Sequence, residues 1–243
     1  MAAPWQQWAR RPETEPTLVE RARGSLPQME STKQLVRLVA EVYRPGMRVL
    51  DVGCNVGHYL RGLRALDPAL DYTGVDAYAH YVERAREIFR DDRCAAFHVR
   101  DVFEPLFPDT PFDIVYCCNV LLHLPDFRRP VRNLLASTRG VLLVRTLLGE
   151  HTTVVKRAVA HAYDDAGEPL DFVYQNTWET GYFTGFVEGL GWGVEVLEDE
   201  FDPGVLAGEH ATVKRGRGTR VVEGRQADGN ILFNWTWAKI TRA

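Results

Sequence analysis

Three aspartates, Asp51, Asp76 and Asp101, each close a short apolar run: MRVLD, DYTGVD and FHVRD. The first is followed by a glycine turn, Gly53-Cys54-Asn55-Val56-Gly57, that leads into His58. If the runs are parallel strands, the three acids meet in one crevice at the carboxyl edge of a sheet. A glycine turn there lets backbone approach a ligand closely and aims helix N–H groups at an acceptor. An acid ending the second strand can accept both hydroxyls of a ribose. The turn departs from a dinucleotide site, which needs glycine where Asn55 and His58 stand. Asp51 would also put negative charge where a pyrophosphate sits. That charge suits a cationic ligand carrying an amino group and a sulfonium; the bland alternative is that Asp51 only caps the turn.

The elements that must position these acids can be read from periodicity. Residues 1–30 carry Pro4, Pro12, Pro16 and Pro27 and read as an irregular arm. STKQLVRLVAEVY then has Leu35, Leu38, Val39 and Val42 at helical spacing, with Ser31 or Thr32 able to cap it and Pro45-Gly46 to stop it. Strand candidates at 47–52, 71–76, 95–99, 112–120 and 140–148 alternate with the helical segments HYLRGLRAL, AHYVERAREIF and FRRPVRNLLAS. That alternation argues for an α/β fold with a parallel sheet covered on both faces. Further on, 149–176 is mixed and polar, and TWETGYFTGFVEGLGW reads as a helix. GVEVLEDEF (193–201) and GNILFNWTWAKI (229–240) read as strands, with a loop or hairpin excursion at 202–228.

The 243 residues are 45% hydrophobic with a net charge of −4, enough for one large domain and no electrostatic drive toward nucleic acid or anionic membranes. Cys54, Cys94, Cys117 and Cys118 form no CxxC pair and no zinc spacing, so no metal is expected. No run reaches membrane-spanning length and the N-terminus has no apolar leader core, so a cytoplasmic protein is expected.

On these residues the chain resembles the class I S-adenosylmethionine-dependent methyltransferases. Asp51-Val52-Gly53-Cys54-Asn55-Val56-Gly57 is similar to their first motif, with Asn55 for the central glycine. Asparagine tolerates positive φ, so the turn can survive. TGVDAY, RDVFE, FDIVYCCNVLLHLPD and VRNLLASTRGVLLV resemble the motifs that follow. The resemblance implies a Rossmann-like seven-stranded, mostly parallel sheet whose last strand is antiparallel. It implies an N-terminal arm and helix over 1–45 and a catalytic domain over 46–243 with acceptor elements in 149–190. It implies S-adenosylmethionine as cofactor and S-adenosylhomocysteine as product. It places Asp51, Gly53, Cys54, Asn55, Gly57 and His58 along the donor. Asp76, Ala77 and Tyr78 then fall at the ribose, Asp101 and Val102 at the adenine, and Asn119 and Val120 at the end of the fourth motif.

The chain lacks the Asp/Asn-Pro-Pro-aromatic signature of nucleic-acid and protein N-methylation, having Cys117-Cys118-Asn119-Val120 instead. Neither cysteine follows proline, so both read as buried rather than nucleophilic. His123 is the leading general base, against a role in the cofactor pocket or the framework. His58 sits on the donor side unless it caps the helix; His151 and His161 are lesser bases on a polar segment. Tyr174, Asn176, Trp178, Glu179 and Tyr182 combine aromatic faces with directional polar groups, as an acceptor wall does, although Trp178 and Tyr182 fit a core equally well. Gln28 and Met29 sit on an arm that the resemblance implies can close over the donor. Lys214, Arg215, Arg217 and Arg220 read as a solvated loop, or as a clamp for an anionic acceptor. The expected function is O- or N-methylation of a small molecule in specialised or sugar metabolism. The alternatives are a non-catalytic cofactor-binding regulator or partner subunit and, behind it, an RNA or protein methyltransferase. The sequence does not give the oligomeric state.

Overall fold

The computed structural model describes residues 15–158, 162–201, 220–222, 225–228 and 231–243. Its frame is a sheet built from β1 (Arg48–Val52), β2 (Asp71–Asp76), β3 (Ala95–Val99), β4 (Phe112–Cys118) and β5 (Thr138–Gly149). Two short strands, β6 (Lys156–Ala158) and β7 (Phe172–Tyr174), pair antiparallel apart from it; β8 (Trp178–Glu179) pairs beside β5. The sheet is completed by β9 (Trp192–Glu198) and, after the small antiparallel strands β10 (Arg220–Val222), β11 (Arg225–Asp228) and β12 (Ile231–Leu232), by β13 (Trp235–Arg242). The strand order is β3-β2-β1-β4-β5-β13-β9, parallel from β3 through β5, with β13 antiparallel to both neighbours. These are the seven strands and the reversed last strand that the family resemblance implies, with β8 added.

The sheet is buried on both faces because its strands alternate two apolar sets. Leu50, Val115, Cys117 and Leu142 point to one face, under α5 (Arg128–Ala136) and α6 (Thr180–Glu188). Val49, Ile114, Tyr116 and Leu143 point to the other, under α2 (Glu30–Val42), α3 (Leu60–Leu66) and α4 (Ala79–Ile88). The chain reverses its crossover direction at β1, so a crevice opens between the carboxyl ends of β1 and β4.

Several expectations need correction. The arm is not irregular throughout: Glu15–Arg23 is a helix, α1, and Pro16 is tolerated in its first turn, where an N–H would have no partner. Residues 1–14 lie outside the described ones. Neither Ser31 nor Thr32 caps α2. Met29, with extended backbone, occupies the cap position without a side-chain bond, and Ser31 instead lies 3.2 Å from the Tyr59 hydroxyl. The run 177–192 opens as strand β8 before it turns helical at Thr180. The strand expected over 229–240 is two strands in different sheets, broken at Phe233–Asn234. Of the 202–228 excursion, β10 and β11 form the hairpin, and 202–219 lies outside the described residues. Among the described residues no helix is long and apolar enough to cross a membrane.

Candidate active site

The turn after β1 takes three left-handed residues, Gly53 (φ 80°), Asn55 (φ 50°) and Gly57 (φ 75°). Asn55 does replace the central glycine, and its Oδ1 accepts the Val56 N–H at 2.8 Å. Gly53 is required sterically as well: a Cβ there would lie 2.2 Å from Val120 Cγ2. The expectation that the turn aims its amides at a ligand is not met. The N–H groups of Gly53 and Cys54 both donate to the Val75 carbonyl, and that of Gly57 to the Cys54 carbonyl. The Asn55 N–H donates to Asp76 Oδ2 at 2.9 Å, and the Val56 N–H is already held by Asn55. All five amides are satisfied within the chain, so the turn holds no nest for a phosphate.

A cavity of about 570 Å³ opens over this turn, within the range of small-molecule sites. It is lined by Gly53, Asn55, His58, Asp76, Ala77, Tyr78, Asp101, Val102, Asn119, Val120, Met29 and His123 among the expected residues. Asp76 accepts from the backbone N–H of Asn55 and of Tyr78, both at 2.9 Å. Burial nevertheless pushes its carboxyl up to about 6, because desolvation outweighs those bonds. Asp101 Oδ1 accepts the Phe103 N–H at 2.9 Å, closing the turn after β3.

Asp51 does not line the cavity. It is buried beneath it, 1% exposed, with Oδ2 accepting the Tyr72 hydroxyl at 2.7 Å. Burial lifts its carboxyl to about 7, the largest effect on it, against the lowering from the tyrosine hydroxyls. The picture of three acids in one crevice is thus corrected to two, because Asp51 registers with Gly74 on β2, two residues short of Asp76 on the same face, and so lies below the rim. Cys54 and Gly57 also stay out of the lining. Cys54 Sγ packs toward Gly74, and a Cβ at Gly57 would meet Phe89 and Phe97. Cys117 and Cys118 are buried, and burial pushes both thiols up, as expected of inert cysteines; Cys118 touches the cavity.

His58 is 7% exposed and lines the cavity, and its Nδ1 has no partner. Burial first, then the charge of Arg21, lowers its pKa to about 3, so the ring is neutral. His123 follows β4 in the short helical turn Leu121–His123. Its Nδ1 lies 3.0 Å from the Tyr174 carbonyl oxygen. A carbonyl only accepts, so Nδ1 carries a proton and donates it to that oxygen.

The acceptor wall expected from 172–183 is largely absent from the lining. Asn176 is fully buried and ties loops together: Nδ2 donates to the Leu124 carbonyl at 2.9 Å and Oδ1 accepts the Val155 N–H at 3.1 Å. Trp178 packs edge-on against Phe127 in the core, and Tyr182 rests on the same ring with one side exposed. Tyr174 contributes its carbonyl to His123, and Glu179 holds Thr152 through its backbone N–H. Gln28 packs near Gly62, outside the cavity. His151 is exposed; His161, Lys214, Arg215 and Arg217 lie outside the described residues, as does the side chain of Arg220.

Sequence reasoning missed the α1 side of the cavity, Thr17, Leu18 and Arg21, and also Tyr59, Arg100 and Trp235. It also missed what Arg145 does. That guanidinium donates to Asp199 at 2.6 and 2.9 Å and to Asn119 Oδ1 at 2.7 Å, and lies 4.1 Å from the Trp235 ring centroid. Arg145 and Asp199 are 6% and 7% exposed, so this buried pair holds Asn119, itself at φ 61°, and backs Trp235 at the cavity wall. The signal was one charge inside the apolar run VLLVRTLL.

Residues 27–178 match the family model described as a methyltransferase domain. The chain is 37% identical over 102 residues to the 2-methyl-6-phytyl-1,4-hydroquinone methyltransferase of Synechocystis sp., a match covering 41% of this chain and 32% of that protein. The curated relatives are longer proteins, of which the matched stretch spans about a third or less. Among solved structures, the CcbJ methyltransferase from Streptomyces caelestis superposes with a TM-score of 0.57 at 13% identity, over 90% of this chain and 93% of that one. The N-terminal domain of EvdMO1 with SAH bound gives 0.58 at 15% identity, over 90% and 82%. At such identities the two structures speak for the fold alone.

Proposed function

The chain belongs to the methyltransferase-domain family, in its class I S-adenosylmethionine-dependent form, and from that premise we propose that it methylates an oxygen or nitrogen of a small molecule. The observation that carries the cofactor reading is the glycine turn whose amides are all turned inward while Asp76 stands at its rim. Such a turn offers no free amide to a pyrophosphate, and its rim offers a carboxylate to ribose hydroxyls. The residues present fit S-adenosylmethionine: Asp76 and Tyr78 for the ribose, Asp101 and Val102 for the base, and Asn119, Val120 and His58 along the remainder. When bound, its sulfonium supplies an electrophilic methyl group to an acceptor lone pair.

The chain's own part is to position the acceptor and take its proton. His123 Nε2, with the ring fixed by the Tyr174 carbonyl, is the base for a hydroxyl or protonated amine. The Arg145–Asn119 bond keeps the end of β4 in the left-handed turn from which His123 follows. Small molecules named for the relatives, such as a hydroquinone and phosphoethanolamine, support an acceptor of that size. The test is calorimetric titration with S-adenosylhomocysteine, then methyl transfer from labelled cofactor to a fractionated metabolite extract. Micromolar binding, about −8 kcal/mol, and a labelled small product support the reading; absence of binding overturns it.

A further inference from the structure

We propose that Trp235 is the wall of the cavity that recognises the acceptor, and that the acceptor is a hydroxyl on a planar aromatic ring, stacked on that indole with its oxygen toward His123. The inference rests on the methyltransferase reading above and deepens it by naming the substrate class. The sheet order separates the two ends of the cavity. Asp76 and Asp101 stand at the ends of β2 and β3, and Asn119 and Val120 follow β4. The lining continues past them to Trp235, which opens β13 beside Leu147 of β5. A donor held from Asp101 to Asn119 leaves the Trp235 end, with His123 and Leu124, for the acceptor.

Trp235 is held before any ligand arrives. The Arg145 guanidinium lies 4.1 Å from its ring centroid and is itself anchored on Asp199. Its Nε1 donates to Gln226 Oε1 at 2.7 Å, and the Phe233 ring packs 5.3 Å away. Just before it, Asn234 Nδ2 donates to the Leu148 carbonyl at 2.6 Å and pins the start of β13 to β5. Arg145 does not line the cavity, so it stands behind the half-buried indole, which presents its other side to the ligand. A flat face fixed in this way costs little ordering on binding.

The chemistry at this end selects among acceptors. Trp235 Nε1 is taken by Gln226, Asn119 Oδ1 accepts from Arg145 at 2.7 Å, and His123 Nδ1 donates to the Tyr174 carbonyl. A sugar ring laid here would bury several hydroxyls against atoms already engaged, which is costly. The charged side chains among the described lining residues, Arg21, Asp76, Arg100 and Asp101, stand on α1 and at the ends of β2 and β3. A phosphate or an ammonium beside Trp235 would therefore lose water without gaining a counter-charge there. A flat ring with one reacting hydroxyl meets neither cost and gains the stacking.

The experiment titrates three probes into the full chain saturated with S-adenosylhomocysteine: a naphthol, methyl glucoside and phosphoethanolamine. We expect the naphthol to bind at least about tenfold more tightly than either of the others, and to be the probe that takes labelled methyl from S-adenosylmethionine. Trp235→Leu should weaken the naphthol about tenfold and Trp235→Phe less than about threefold. Both variants should bind S-adenosylhomocysteine within threefold of the unaltered chain, which also shows that they fold. Equal or tighter binding of the glucoside or of phosphoethanolamine, no binding of the naphthol, or a Trp235→Leu chain that binds it unchanged overturns the proposal. A matching loss of S-adenosylhomocysteine affinity also overturns it, assigning Trp235 to the framework of the whole cavity. If the unaltered chain does not bind S-adenosylhomocysteine, the cofactor reading itself falls.

Discussion

Asp76→Ala is the sharpest test of the ribose assignment, and the structure sets its size. A carboxylate has about four acceptor positions. Two are taken by the Asn55 and Tyr78 N–H groups, so about two remain for hydroxyls. A hydrogen bond to a charged group contributes about 1.5–3 kcal/mol, so losing one lowers affinity roughly 10- to 150-fold, and losing two lowers it further. The control is Asp113→Ala. Asp113 sits on β4, bonded to the Arg48 N–H at 2.8 Å and to the exposed Arg139, and does not line the cavity. Its loss should leave S-adenosylhomocysteine binding within threefold. The substitution at Asp76 also strands two backbone N–H groups, so thermal unfolding is measured alongside, and titration is done well below each variant's melting temperature. A second signature is pH. Ribose hydroxyls donate to the ionised form, and burial sets the Asp76 carboxyl at about 6. Affinity should therefore hold above pH 7 and fall about tenfold by pH 5, and this limb should vanish in Asp76→Ala. Equal losses at Asp76 and Asp113, or an Asp76 variant that binds within threefold, would refute the assignment.

Three more outcomes are expected. His123→Ala should lower turnover about 10²–10⁴-fold in single-turnover assays while cofactor affinity stays within threefold; unchanged turnover would remove His123 as base. Asp51 titrates near 7 in the native state and near 3.8 in the free carboxyl, so its proton favours folding at low pH, and that contribution is lost as pH rises through about 7. Asp51→Asn should therefore flatten a decline in melting temperature between about pH 4 and 7, a span set by about 3 units or roughly 4 kcal/mol; an unchanged profile would contradict its burial. Gly53→Ala should cost roughly 2–5 kcal/mol, from a left-handed alanine and the Val120 contact, and Val120→Ala should restore part of it in denaturant melts.

The fold was legible because its strands are long apolar runs ended by acids and separated by helical spacing. That pattern depends on local periodicity and survives tertiary context. Helix α1 was not legible, since Pro12 and Pro16 read as breakers and the apolar pair Val19–Ala22 is too short a stripe to outweigh them. The capping reading of Ser31 failed for a different reason. Tyr59, 28 residues away, offered the hydroxyl a partner, and no local rule contains that contact.

At the site, sequence identified residues by type and could not give the direction in which each side chain points. Asp51 and Asp76 look equivalent in sequence and share a face of the sheet, yet Asp51 registers with Gly74, two residues short of Asp76, so it lies deeper against Tyr72 and Asp76 stands at the rim. Asn176 has the composition of a ligand-binding amide, but both its ends are used by backbone groups of other loops. The converse holds for Arg21 and Trp235, which no motif marks and which reach the cavity only because α1 and β13 pack beside it. These errors share one cause. The glycine turn spends its own amides on Val75, Cys54, Asn55 and Asp76, so the groups left to hold a ligand are side chains delivered by neighbouring elements. Which ones arrive is decided by packing between segments distant in sequence, and there the cavity acquires contacts that the motifs do not encode.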